Sequence, residues 1–161
     1  MRFFKYHALG NDYLVLEPQD CAPLFSQDAI RKVCHRHYGL GSDGILYGPI
    51  ERTDGAFGLR ILNPDGSEAE KSGNGIRIFC RHLLETKRVQ EGQAFKVHTL
   101  GGLVGCSVFE GGNRIRVEMG QVSFSAPVIP HIGADREVLG ESITVHGKTF
   151  KYWAATVGNP H

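Results

Sequence analysis

The stretch NPDGSEAEKSGNGIR at residues 63–77 constrains the fold of this chain more than any other segment. Alternating β-forming residues precede it, which predicts a strand at 57–62. Apolar residues follow it at helical spacing, namely Ile76, Phe79, Cys80, Leu83 and Leu84. The first backbone N–H groups of a helix lack partners, and Gly73 and Gly75 would let a ligand approach them. The segment therefore predicts an anion-binding junction between a strand and a helix, with Ser72 as the nearest side chain.

Charge and hydropathy argue against two classes of partner. Eighteen basic against 17 acidic side chains leave a formal net charge of +1. That balance offers no electrostatic attraction to nucleic acid or to an anionic membrane surface. No apolar run approaches the roughly 20 residues that span a bilayer, and the first residues lack the apolar region of a signal peptide. We therefore expect a cytoplasmic protein whose partners are small molecules or other proteins.

The four cysteines are widely separated and include no Cys-x-x-Cys pair. Their spacing suggests neither a zinc site nor a disulfide framework. We predict free, mostly buried thiols and no metal site. Cys80 falls on the apolar face of the predicted central helix, about two turns from its start, which favours a core residue over a nucleophile.

Turn residues divide the first part of the chain into short elements. Gly10, Asn11 and Asp12 form a turn signal, so strands at 2–8 and 13–16 are predicted to make a hairpin with Asn11 at its tip. A helix is predicted at 26–37, with Ser26 as its N-cap. Further strands are predicted at 45–48, 57–62, 95–99, 103–109 and 114–118, the last three as an antiparallel meander.

Residues 121–130 carry two prolines and no periodicity, so we place a crossover between two units there. Residues 144–146 and 152–157 are predicted strands of the second unit. Only about 30 residues of that unit are present, too few to bury a core alone. We assign 1–121 to a first domain and 122–161 to the crossover and the start of an incomplete second domain, and we expect a cut C-terminus.

Four motifs in order resemble the diaminopimelate epimerase family, whose enzymes invert an amino-acid α-carbon without a cofactor. KYHALGNDYLVL at 5–16 is similar to the family's opening motif, and YGLGSDG at 38–44 to its second loop. The stretch at 63–77 is similar to the family signature, and GNPH at 158–161 to the motif that begins its second site-forming segment. Since the central motif is long and specific, the chain is identified as an N-terminal portion of a family member.

The resemblance implies an α+β fold, in which a curved, mostly antiparallel sheet wraps around a central helix. This would be the first of two pseudo-symmetric domains, with the active site in the cleft between them. The resemblance also implies an amino-acid substrate and no cofactor, and it leaves a homodimer open. Gly44 stands where some members carry a glutamine, so we assign it no contact. The implied substrate-binding residues are Asn11, Asn63, Gly73, Asn74, Asn159 and His161.

The family's reaction needs one base on each face of the α-carbon. Members use two cysteines. The pKa of a thiol is ~8.5, and a helix N-terminus lowers it, so the group can serve as a thiolate base or as an acid near neutral pH. The first cysteine belongs at position 72, which is a serine here, and the second would lie beyond His161. A helix N-terminus is worth up to about 2 kcal/mol for a charge, which does not bring an alcohol near pH 7. The side chains that could activate Ser72, by sequence proximity, are Asp65, Glu68, Glu70 and Lys71.

Three explanations for Ser72 stay open: an engineered change, a natural enzyme that uses a serine with a distal cysteine, and a paralogue that binds without turnover. Lys71 and Ile78 also depart from residues that are frequent in the family. A single designed substitution at position 72 would not explain these two further differences, so we favour the natural serine variant. A phosphate-binding loop at Gly73 to Gly75 is disfavoured, because the lysine and the serine or threonine of a P-loop are missing.

We therefore predict a diaminopimelate epimerase-like isomerase with Ser72 in the place of the first base. The implied reaction converts LL-diaminopimelate to the meso form for lysine and peptidoglycan precursor synthesis. The alternatives are a racemase of another amino acid and a non-catalytic amino-acid-binding protein. The 161 residues alone are expected to be inactive, because the opposite base and half of the cleft are absent.

Overall fold

The structure is a computed structural model, and it describes residues 2–21, 26–158 and 160–161. The chain divides into two compact units, Met1–Glu118 and Met119–His161. The assignment of 122–161 to a crossover and an incomplete second domain stays a prediction.

One curled sheet makes up most of the first unit. Its strands are β1 (Phe4–Ala8), β2 (Asn11–Leu16), β3 (Ile45–Ile50), β4 (Phe57–Leu62), β5 (Glu68–Ala69), β6 (Ala94–Thr99), β7 (Gly102–Phe109) and β8 (Arg114–Val117). Their spatial order is β1-β2-β3-β4-β6-β7-β8, and β5 pairs with β4 beside that path. The pairs β2–β3 and β4–β6 are parallel and the other five neighbouring pairs are antiparallel, which confirms the predicted mostly antiparallel sheet.

The predicted central helix is confirmed as α2 (Gly73–Glu85). It contacts β1, β2, β3, β7 and β8, so the sheet wraps around it. Ile76, Phe79, Cys80 and Leu83 are fully buried, which confirms the predicted apolar face, whereas Leu84 is only partly buried. The hydrogen bond that the Cys80 thiol makes to Cys106 on β7, together with burial, raises the pKa of Cys80, which therefore stays protonated and unreactive.

A second helix, α1 (Gln27–Cys34), packs a separate apolar cluster. Ser26 caps it as predicted, since its Oγ accepts the Ala29 N–H at 3.3 Å. The predicted end at residue 37 is wrong, because His35 leaves the helical region and its Nδ1 accepts the N–H groups of residues 37 and 38 at 3.1 and 3.2 Å. The cluster contains Leu14, Leu16, Cys21, Ile30, Cys34, Ile45 and Leu62.

The hairpin between β1 and β2 turns one residue earlier than predicted. Leu9 and Gly10 occupy the turn with φ of 54° and 86°, and Ala8 pairs with Asn11. The prediction that Asn11 lies at the tip is therefore wrong. Because Asn11 is the first residue of β2, its side chain shares a face with that of Tyr13, two residues along the strand.

A buried polar network fastens the C-terminal half of α2 to the end of β2. Glu17 and His82 are almost fully buried, and Glu17 Oε1 lies 2.8 Å from His82 Nε2. Arg88 pairs with the other oxygen of Glu17. Burial lowers the pKa of His82, which keeps the imidazole neutral near pH 7.

The second unit contains a hairpin of β9 (Glu141–Val145) and β10 (Lys148–Tyr152). Ala126, Ile129 and Val138 form its small apolar cluster. The strand predicted at 152–157 is wrong, because β10 ends at Tyr152 and beyond it Thr156 makes only isolated bridges. Within the described ranges, no helix is long and apolar enough to cross a bilayer.

Truncation of a core side chain on α2 tests the burial of that helix. We expect Leu83→Ala to lower the free energy of unfolding by about 2–5 kcal/mol, because Leu83 is fully buried and its removal leaves a cavity. The matched control is Leu9→Ala. Leu9 is 98% exposed, so its truncation should change the free energy of unfolding by less than about 0.5 kcal/mol. Urea unfolding followed by circular dichroism measures both, and equal effects would contradict the assignment of α2 to the core.

The buried histidine predicts a pH dependence of stability. A histidine whose pKa is lowered in the folded protein binds its proton more tightly in the unfolded chain. The contribution of His82 to the free energy of unfolding is therefore present above the pKa of histidine in the unfolded chain, ~6.5. That contribution is lost as the pH falls below this value. We expect hydrogen exchange of the α2 amides to accelerate between about pH 7.5 and 5.5 after correction for the intrinsic exchange rate. The same acceleration in His82→Gln, which cannot titrate there, would rule out His82 as its cause.

Candidate functional site

Ser72 occupies the N-cap of α2 and takes up two of the first four N–H groups of that helix. Its backbone is extended, its Oγ accepts the Gly75 N–H at 3.0 Å, and its carbonyl oxygen accepts the Ile76 N–H at 2.8 Å. Within the described residues, the N–H groups of Gly73 and Asn74 have no acceptor. These are the two groups that the family resemblance assigns to the substrate carboxylate. Two free amides at a helix N-terminus form a favourable anion site.

The strand register brings three distant segments to this helix start. Leu14, Ile45 and Leu62 are paired across β2, β3 and β4. Continuing the register by one residue places Tyr13, Gly44 and Asn63 in the adjacent row. Residues from all three motifs of the first unit therefore meet at one end of the sheet.

Gly44 is required by the position of the Tyr13 ring. A Cβ at residue 44 would lie 2.7 Å from Tyr13 Cε1 and 2.6 Å from the carbonyl oxygen of Leu62. Both separations are far shorter than van der Waals contact. In this chain the tyrosine ring therefore lies where a side chain at position 44 would begin.

Tyr13 is the site residue that sequence reasoning missed. Its ring is 7% exposed, and its hydroxyl lies 3.3 Å from Ser72 Oγ. The signal was present in the alternation of β2, since Tyr13 follows Asn11 by two residues and shares its face. Interpreting Asn11 as a turn residue concealed that relation.

The amide of Asn11 is held by Asp43. Asn11 Nδ2 donates to Asp43 Oδ2 at 3.0 Å, and the same oxygen accepts the Asp12 N–H at 3.0 Å. Arg36 lies 2.7 Å from Asp12 and 2.6 Å from Asp43, and its hydrogen bond holds the pKa of Asp12 well below the usual range. With its amino group on Asp43, Asn11 has its carbonyl oxygen left to accept a hydrogen bond.

Asn63 belongs to a tight turn as well as to the row at the helix start. Its N–H donates to the Ser67 carbonyl at 2.8 Å, and its Nδ2 donates to Ser67 Oγ at 2.9 Å. Its own carbonyl accepts the Gly66 N–H at 2.9 Å. The turn thus fixes the side chain of Asn63, and its contact with substrate stays a prediction.

The structure gives other neighbours to the four side chains that sequence proximity proposed as activators of Ser72. Glu68 lies on β5, a strand that sequence reasoning missed, and pairs with Arg60 at 2.7 Å. Asp65 accepts from the N–H and hydroxyl of Ser67. Residues 70 and 71 lie against the turn at Gly101. Among the described residues, none of these four side chains hydrogen-bonds to Ser72.

The two remaining predicted residues belong to the C-terminal end of the chain. Asn159 lies outside the described residues. His161 is exposed in the second unit, and its N–H and carbonyl pair with Ala155 at 2.8 and 3.0 Å. Their substrate contacts stay predictions. The described part of the chain holds no group of three or more His, Cys, Asp or Glu residues arranged to bind a metal.

Comparison with known proteins agrees with the motifs. The family model described as Diaminopimelate epimerase matches residues 3–125. Diaminopimelate epimerase 2 of Nostoc sp. (strain PCC 7120) is 53% identical over 161 residues, which cover all of this chain and 56% of that protein. Diaminopimelate epimerase of Moorella thermoacetica is 40% identical over 166 residues, covering all of this chain and 58% of that protein. The chain thus spans little more than half the length of these relatives.

The fold has solved counterparts at low sequence identity. A hydroxyproline epimerase from Agrobacterium vitis, with bound trans-4-hydroxy-L-proline, superposes with a TM-score of 0.62 at 15% identity. The match covers 95% of this chain and 48% of that one. The likeness shows the fold, and the family model shows the lineage: the chain belongs to the diaminopimelate epimerase family.

Proposed function

We propose that the full-length protein inverts the α-carbon of LL-diaminopimelate to give the meso form, by proton transfer between two bases and without a cofactor. The observation that carries the proposal is the start of α2. There Ser72 takes the N–H groups of residues 75 and 76 and leaves those of Gly73 and Asn74 for an α-carboxylate. Membership of the family and the names of the relatives support the choice of reaction.

The other polar groups of the first unit suit the rest of an amino acid. The carbonyl oxygen of Asn11 can accept from an ammonium group, because Asp43 already holds the amino group of that side chain. Ser72, next to the free amides, would face the α-carbon of a bound amino acid. The opposite base belongs to the part of the protein that the relatives have and this chain lacks.

A second candidate function follows from the serine itself. An alcohol is a far weaker acid than a thiol, so a protein with Ser72 could keep the carboxylate site and bind an amino acid without turning it over. A racemase that acts on another amino acid is a further alternative, since the free amides recognise a carboxylate and not a side chain.

We also propose that the protein works in the cytoplasm, in the synthesis of lysine and peptidoglycan precursors. The four cysteines are free and buried, which suits a reducing compartment.

Exchange of the α-hydrogen with solvent tests the reaction directly. We expect the full-length protein in D₂O to incorporate deuterium at the α-carbon of LL-diaminopimelate faster than at other amino acids in a panel, measured by NMR or mass spectrometry. Preference for another amino acid would show a racemase of that compound. Binding of diaminopimelate without exchange, with exchange restored by Ser72→Cys, would show that only the base is missing. No exchange by either form would refute the epimerase proposal.

Removal of one free amide tests the carboxylate site. Gly73→Pro deletes the N–H of residue 73 at the first helical position, where proline's fixed φ suits the helix. A hydrogen bond to a charged group contributes about 1.5–3 kcal/mol, so we expect kcat/KM to fall by roughly 10- to 150-fold.

The matched control is Gln27→Pro, which places proline at the first position of α1 after an extended N-cap. We expect kcat/KM of this variant to stay within about 2-fold of the value for the unchanged protein, because surface substitutions usually have small effects. Circular dichroism checks that both variants keep their helices. Equal kcat/KM for Gly73→Pro and the unchanged protein would exclude the residue 73 amide as a carboxylate donor.

A further inference from the structure

We propose that Tyr13 and Ser72 work as a pair, in which the Tyr13 phenol exchanges a proton with the Ser72 hydroxyl and so enables Ser72 to act as the first base. This inference rests on the proposed function and names the partner that the serine requires. Ser72 contacts the substrate, and Tyr13 acts through Ser72.

The geometry gives each hydroxyl a defined place in the pair. Ser72 Oγ accepts the Gly75 N–H at 3.0 Å and lies 3.3 Å from the Tyr13 hydroxyl. In the part of the chain that the structure describes, Ser72 is the one hydrogen-bond partner of that hydroxyl. The O···O distance is longer than the usual 2.7–2.8 Å, and hydrogen bonds between catalytic groups often shorten only when substrate binds.

The surrounding packing holds the phenol where it can reach Ser72. Tyr13 is nearly buried on β2, and its ring edge lies against Gly44, where a Cβ would be 2.7 Å away. A larger residue at position 44 would displace the ring. The glycine at 44, the tyrosine at 13 and the serine at 72 therefore form one arrangement.

The proton transfers balance once the Tyr13 phenol has lost its proton to solvent, so that the pair starts as a phenolate beside a neutral Ser72 hydroxyl. In the forward direction the α-carbon–hydrogen bond breaks and Ser72 Oγ takes that proton. The original hydroxyl proton of Ser72 passes to the Tyr13 phenolate, and the electron pair stays on the α-carbon, where the carboxylate delocalises it. In the reverse direction Ser72 protonates the carbanion, Tyr13 reprotonates Ser72, and the charge ends on the phenolate. Phenols are much stronger acids than aliphatic alcohols, so the pair removes the need for a free alkoxide.

Few charged groups face the pair from the neighbouring elements. Asp12 points to the opposite face of β2 and is paired with Lys5 of β1 and with Arg36. Asp43, beside Gly44, also pairs with Arg36. On the helix side, Glu70 and Lys71 precede α2 and lie against the turn at Gly101. Arg77 lies within α2 and is exposed.

A double-mutant cycle on the full-length protein tests the pair. The measured quantity is deuterium exchange at the α-carbon of LL-diaminopimelate for the unchanged protein, Tyr13→Phe, Ser72→Cys and the double variant. We expect Tyr13→Phe to lower kcat by at least about 100-fold, the usual contribution of an acid–base group, with KM nearly unchanged. With Ser72→Cys the same substitution should change kcat by less than about 3-fold, because a thiol ionises without the phenol.

The pH profile adds a readout that a structural role would not change. Thiols ionise near pH ~8.5 and phenols near ~10, so we expect the rising limb of kcat to shift to lower pH in Ser72→Cys. Tyr47→Phe serves as the matched control. Tyr47 packs against the separate apolar cluster under α1, so removal of its hydroxyl group should leave kcat unchanged.

Each outcome bears on the proposal. Equal losses from Tyr13→Phe with serine and with cysteine would show that Tyr13 only supports the start of α2, and would overturn the pair. Exchange by Ser72→Cys but not by the unchanged protein would overturn the pair while the substrate assignment stands. No exchange by any of the four forms would refute the proposed function, and the pair with it.

Discussion

The burial of α2 inside the curl of the sheet is the constraint on which the site depends. The first N–H groups of a helix have no partner within it, so the two that stay free keep fixed positions only if the rest of the helix is held in place. Here Ile76, Phe79, Cys80 and Leu83 of α2 are fully buried, and the helix contacts five strands. At its other end, Glu17, His82 and Arg88 fasten the helix to the end of β2. The free amides of Gly73 and Asn74 are thus held in place by the rest of α2.

In the proposed function Ser72 links this fold to its chemistry, because the oxygen atom that caps the helix is also the atom proposed to take the substrate proton. As a cap, its Oγ accepts the Gly75 N–H, which stabilises negative charge on that oxygen. That stabilisation amounts to about 2 kcal/mol at most and falls short of what an alcohol needs. A second group must therefore act on Ser72 if the protein turns over its substrate, and the strand register supplies the Tyr13 hydroxyl at 3.3 Å.

The sequence predicted the features that depend on local patterns. The strand-to-helix junction, the apolar face of α2 and the Ser26 cap follow from periodicity and from capping chemistry, and the family resemblance implied the curled sheet. Features set by distant pairing could not be predicted in the same way. The parallel pairing of β2 with β3 places Tyr13 beside Gly44, and the short pairing of β5 with β4 directs Glu68 to Arg60. The side chains nearest Ser72 in sequence were for that reason the wrong partners.

Departures from the family pattern are easier to interpret when they are placed in the structure. Taken alone, Ser72 replaces the cysteine that the family resemblance implies at that position, and Gly44 replaces the glutamine that some family members carry. In the structure the two positions are connected by one residue, since the ring of Tyr13 lies against Gly44 and its hydroxyl lies beside Ser72. A glutamine at 44 could not coexist with this ring position. The three residues therefore constitute a coupled arrangement, and changing any one of them alters the environment in which the other two act.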